Sequence, residues 1–141
     1  MMQRGRRIAF DYGDVRIGVA VSDADSIICS PLTTLKSSDK SLLKNITEIF
    51  SEIQPVQIYV GKPALLSGKD GLSAERAISF AESLREITDV EIIMIDERLS
   101  TVSAARNLRE SGKNAKEAKE SIDMAAAVGI LDFALDLERR K

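Results

Sequence analysis

Apolar and polar positions near the start of the chain alternate with the period of a strand. In Arg7-Ile8-Ala9-Phe10-Asp11 the large apolar residues occupy every second position, and in Ile17-Gly18-Val19-Ala20-Val21 branched residues alternate with small ones. Tyr12-Gly13-Asp14 between the runs has turn chemistry, so a β-hairpin is expected. Ser26 to Leu35 is β-compatible but contains Pro31, which fits an edge strand that bends or ends there.

The period then changes. Leu42, Leu43, Ile46, Ile49, Phe50 and Ile53 recur at helical intervals, and Pro55 stops the helix. Val56 to Gly61 is a short uninterrupted apolar run, the pattern of a strand covered on both faces. A flexible loop over Ala64 to Gly71 is expected after it. The pattern of Leu72 to Thr88 predicts a helix with Ala74, Ala77, Ile78, Ala81 and Leu84 facing inward, and Glu91 to Ile95 a further buried strand. Ser100 suits the N-cap of a helix closed by Ser111-Gly112, and Asn114 with Glu117 has the spacing of a capping box opening a last helix.

Right-handed crossovers place the two later strands parallel to the first. The expected fold is α/β: a five-stranded mixed sheet of order 3-2-1-4-5, strand 2 antiparallel, with helices on both faces. This is the ribonuclease H-like arrangement. At 141 residues with 44% hydrophobic content, a single domain spanning 1–141 is expected.

Composition narrows the chemistry. The chain has no histidine, which removes imidazole bases and the commonest zinc ligand and leaves carboxylates as the candidate catalytic groups. Carboxylate sites favour Mg2+ or Mn2+. Aromatic residues make up only 4% and the formal net charge is -2, so nucleic-acid contact would rest on phosphates rather than on base stacking. Basic residues gather at Arg4, Arg6 and Arg7, at Arg98, Arg106 and Arg109, and at Lys113, Lys116 and Lys119, where ordinary solvated faces are the alternative reading. One cysteine, Cys29, excludes an internal disulfide, and no apolar run is long enough for a bilayer, so a cytoplasmic protein without membrane contact is expected.

Three acids stand out. Asp11 closes an apolar strand, where an acid is costly unless it starts a turn or serves a metal or phosphate site; Gly13 and Gly18 beside it would allow close approach. Asp96-Glu97 ends the fifth strand, and since successive residues point to opposite faces, one of the two is expected to join Asp11. On the last helix, Asp123 shares its row with Ala127, Ile130 and Ala134, while Asp132 and Asp136 fall on the far side. Such an acid faces the body of the protein, either as a satisfied buried group or as a ligand. Converging carboxylates repel unless a cation joins them. Arg16 and Arg98, each beside an acid motif, and Lys62 are the candidate substrate-binding residues, with an internal ion pair as the alternative for the arginines.

Asp11-Tyr12-Gly13, Arg16-Ile17-Gly18-Val19-Ala20-Val21-Ser22-Asp23, Val60-Gly61-Lys62-Pro63, Asp96-Glu97-Arg98-Leu99-Ser100-Thr101 and Ile122-Asp123-Met124-Ala125-Ala126 together resemble the YqgF family of candidate pre-16S rRNA nucleases, also called Holliday junction resolvase-like proteins. The resemblance runs in order along nearly the whole chain. It implies a cytoplasmic, metal-dependent nuclease of the ribonuclease H-like superfamily, with catalytic and metal-binding acids at Asp11, Glu97 and Asp123. The implied partner is nucleic acid, either pre-rRNA, with the ribosomal subunit as a further partner, or branched DNA. Trimming one RNA end needs no symmetric pair of sites, so a monomer or weak homodimer is expected. Two other readings compete: a nucleotide-binding ATPase half, against which stands the absence of a Gly-rich loop ending in Lys-Ser/Thr, and a non-catalytic RNA- or junction-binding module.

Overall fold

The computed structural model describes residues 3–62, 70–96 and 115–140. Strands β1 (Arg7–Tyr12), β2 (Arg16–Ser22), β3 (Cys29–Lys36), β4 (Gln57–Lys62) and β5 (Ile92–Asp96) form one sheet of order β3-β2-β1-β4-β5. β2 runs antiparallel to β1 and β3, and β4 runs parallel to β1 and β5. Helices α1 (Leu42–Ile53), α2 (Asp70–Arg85) and α3 (Ala115–Arg139) complete the described elements. Order and directions are those expected from the crossovers. Among the described residues no helix is long and apolar enough to cross a membrane.

The pleat sorts side chains by size. Ile8, Phe10, Ile17, Val19, Ile58 and Val60 face α1 and α2, where Ile46, Phe50, Phe80 and Leu84 meet them. The other face presents Ala9, Ala20, Tyr59 and Ile95 to Ala126, Ala127, Ile130, Leu131, Ala134 and Leu135 of α3. Alanines on both partners let α3 lie close to the sheet. At the end of α1, Gln54 takes a left-handed conformation (φ 51) and its N–H donates to the Phe50 carbonyl at 2.8 Å, so the helix closes just before Pro55.

Several expectations are corrected. Of the two alternatives at Pro31, β3 does not end there: it runs along the sheet edge, as expected, through Pro31 to Lys36, with a register shift opposite Val19/Ala20 that absorbs the irregularity. Ser26 is not in the strand but in a left-handed turn (φ 57), where the Asp23 carboxylate accepts the Ile27 and Ile28 N–H groups at 2.7 and 3.0 Å. These bonds hold the Asp23 carboxyl below its ordinary pKa, the Ile28 bond first. On α2, Ile78 is exposed and Phe80 is buried in its stead. The first basic cluster is structural: Arg7 is buried, Arg4 pairs with Asp25 and Arg6 Nε donates to the Ser22 carbonyl. Asp70 and Gly71 already belong to α2; the rest of the Ala64 to Gly71 loop and the Ser100 helix lie outside the described residues.

Candidate active site

One row of register partners crosses the whole sheet on the α3 face. It reads Thr34 on β3, Gly18 on β2, Asp11 on β1, Gly61 on β4 and Ile95 on β5. Asp11 therefore has a glycine as register partner on each neighbouring strand. It is 2% exposed.

Gly18 does a second thing. A Cβ built there would lie 2.0 Å from the Asp123 carbonyl oxygen and 2.4 Å from its carbonyl carbon, so the backbone of α3 rests on the bare α-carbon of β2. That seat brings Asp123 beside the strand position paired with Asp11. Arg16, two residues before Gly18 and on the same face, donates from Nε to Asp123 Oδ2 at 3.0 Å. The ion-pair alternative for Arg16 is thus the arrangement present, with the two side chains 26% and 19% exposed.

The remaining candidates separate. Asp96 follows Ile95 and so occupies the opposite face from Asp11, in register with Lys62, which follows Gly61 and shares that other face. Both stand at the carboxyl edge of the sheet, on the side of α1 and α2. Glu97 and Arg98 lie outside the described residues, as do Arg106, Arg109 and Lys113; nothing is described of the Lys116 and Lys119 side chains. Among the described residues no group of three metal-ligating side chains is assembled. Asp11 and Asp123 are the acids brought to one face, and their hard oxygen donors suit a divalent cation of the Mg2+ type. The close approach that the sequence allowed at Gly18 is thus present, and what the sequence did not show is that the approaching backbone is that of α3 at Asp123.

Residues 5–137 match the family described as "RuvX: Holliday junction resolvase". The chain belongs to this family. Curated relatives named "Putative pre-16S rRNA nuclease" are similar to the chain over nearly its whole length. One from Mycobacterium sp. (strain KMS) is 46% identical over 140 residues, covering 96% of this chain and 82% of the relative. Another from Nocardia farcinica (strain IFM 10152) is 48% identical over 141 residues, covering 94% and 78%. Among solved structures, T. thermophilus RuvC in complex with a Holliday junction substrate superposes with a TM-score of 0.63 at 15% identity, covering 96% of each chain. At that identity the likeness is one of fold. The resemblance read from the Asp11, Lys62, Asp96 and Asp123 motifs is borne out.

Proposed function

We propose that this RuvX-family chain is a cytoplasmic, metal-dependent nuclease that hydrolyses phosphodiester bonds of structured nucleic acid, with the 5′ end of pre-16S rRNA as its target. The observation that carries the reading is the placement of Asp11 and Asp123 on one sheet face at the carboxyl edge, from opposite ends of the chain, with a cation already drawn in by Asp123. Since Asp96 belongs to the other face, Glu97 is the candidate for the third acid. Asp11, Glu97 and Asp123 would hold Mg2+ or Mn2+, which supplies charge stabilisation for the attacking and leaving oxygens of an in-line displacement. Asp11 contributes a carboxylate shielded from bulk water. Asp123, its side chain 19% exposed, contributes one reachable from the substrate side. Arg16 is placed to meet phosphate oxygens, and Arg98 is its proposed companion; Lys62, on the other face, would serve only strands that wrap around the sheet edge. The ribosomal subunit is the proposed setting, with the chain acting as a monomer or weak homodimer.

Resolution of branched DNA is a second reading, favoured by the description of the matching family. It calls for a symmetric pair of sites. Side-by-side cleavage of a structured 16S precursor RNA and a four-way DNA junction, with Mg2+ and Mn2+, tests both readings. The precursor should be cut by the wild type and not by Asp11→Asn or Asp123→Asn. Wild-type turnover in either variant would remove the site assignment, and faster cutting of the junction would put the second reading first.

A further inference from the structure

Arg16 stands between two surroundings. On one side it is paired with Asp123 at 3.0 Å. On the other it lines an open cleft of about 560 Å³ between the β1–β2 turn and the end of β3, together with Asp14, Thr34, Lys36 and Ser38. Lys36 is the register partner of Arg16, so the guanidinium and the ammonium leave the same face of adjacent strands. Like charges opposite one another destabilise a strand pair, and here Asp123 neutralises Arg16 alone, leaving the facing Lys36 ammonium to seek an anion. Asp14 is not free to fill that role for Lys36, because its carboxylate is 3.1 Å from Arg76.

Thr34 adds a second mark. Its hydroxyl oxygen is buried with no hydrogen-bond partner among the described residues, although buried polar atoms are as a rule bonded. Arg16 and Lys36, the Ser38 side chain and the absence of an aromatic ring among the lining residues, which also include Asp14, Val15 and Leu35, suit a backbone phosphate and offer no platform for a base, while the Thr34 hydroxyl lies buried at the cleft's inner end. The cleft reaches the row that holds Asp11 at Thr34, and its Arg16–Lys36 pair stands two register positions further along the strands.

We infer that this cleft seats a nucleic-acid backbone phosphate beside the scissile one, and that Arg16 leaves Asp123 to bind it with Lys36. The inference rests on the nuclease reading and assigns a substrate subsite within it. Without substrate, Arg16 competes with any divalent cation for the Asp123 carboxylate. A phosphate in the cleft draws Arg16 away and ends the competition, so substrate and cation strengthen each other's binding reciprocally. Both partners are partly exposed, so the exchange needs rotation of one side chain and no opening of the core.

The test uses the full chain and two readouts that do not depend on turnover. In metal-free buffer, fluorescence anisotropy follows binding of a 16S-precursor hairpin and of a four-way DNA junction. Lys36→Gln should weaken binding about 3- to 10-fold and reduce the log-log salt slope by about 1; Lys44→Gln, on exposed α1, should change neither. Without nucleic acid, Mn2+ titration followed by electron paramagnetic resonance should show Arg16→Gln binding the ion about 10-fold more tightly than wild type, with Lys36→Gln unchanged. If Lys36→Gln behaves like Lys44→Gln, the cleft is not the seat. If Arg16→Gln binds Mn2+ no better than wild type, the exchange is refuted. Failure of the wild type to bind either nucleic acid would instead strike the nuclease reading, and the inference with it.

Discussion

The α-carbon of Gly18 carries the backbone of Asp123: a methyl group at that position would lie 2.0 Å from the Asp123 carbonyl oxygen. The obstructing atoms are backbone, so relief requires lifting α3 from β2. Gly18→Ala should therefore cost about 1–3 kcal/mol of stability, the range for overpacking. It should also reduce cleavage about 100-fold, because a shift near 1 Å in a reacting group has effects of that size. Urea melts and single-turnover cleavage check it; a variant as stable and active as wild type would mean that the helix is not seated there.

Phe80 and Ile78 offer a sharp contrast on α2. Phe80 packs edge-on to Phe10 at 5.5 Å between ring centroids and lies 5.2 Å from Tyr12, whereas Ile78 is 41% exposed. Phe80→Ala should cost about 3–5 kcal/mol. Ile78→Ser should stay within about 0.5 kcal/mol, as surface changes do. Equal losses in denaturant titrations would show that the helix face is turned the other way.

At the other end of the sheet, Glu138 of α3 accepts from the Tyr59 hydroxyl and pairs through Oε2 with Arg7 Nη2 at 3.0 Å. Burial, and then Glu138, raise the Tyr59 pKa. Removing Glu138 leaves the Arg7 guanidinium buried without its carboxylate, although Gly5 and Ser26 still accept from it. Glu138→Ala should thus cost about 3 kcal/mol. Cleavage per folded molecule should hold at temperatures well below melting, since this cluster is remote from Asp11. A loss of activity without a loss of stability would contradict that separation.

Cys29 is half-buried on β3, and burial, followed by its hydrogen bond to Asp132, pushes its thiol up to about 12 from 9.0. The fold keeps the proton that the unfolded chain would release near the ordinary value. Its contribution to stability is therefore fully present below about pH 9 and is lost progressively as pH rises toward about 12. Cys29→Ser should flatten the alkaline limb of a stability-against-pH curve. At pH 8 the native thiol should react with iodoacetamide about 100-fold more slowly than in denaturant, because the thiolate is the nucleophile. Equal rates would show the thiol to be unperturbed.

Alternation in Arg7–Tyr12 and Arg16–Ser22, together with the fixed hand of crossovers, determined the hairpin, the sheet order and the face on which Asp11 stands. The row Asp123, Ala127, Ile130, Ala134 likewise determined which side of the last helix turns inward. These features are legible because periodicity and chirality are properties of the chain alone. Tertiary structure decided the rest. Ile78 and Phe80 lie roughly 80° to either side of the Ala74-Ala77-Ala81-Leu84 stripe, so the period of α2 favours neither, and the rings of Phe10 and Tyr12 made the choice. Arg7 reads as one of three clustered cations until Glu138 and Ser26 close around it. Arg16 finds Asp123 across 107 positions of sequence, and only the contact of α3 with Gly18 brings them together. A charge becomes structural or functional according to the partner that desolvates or neutralises it, and that partner is set by packing between distant segments, which no local pattern encodes.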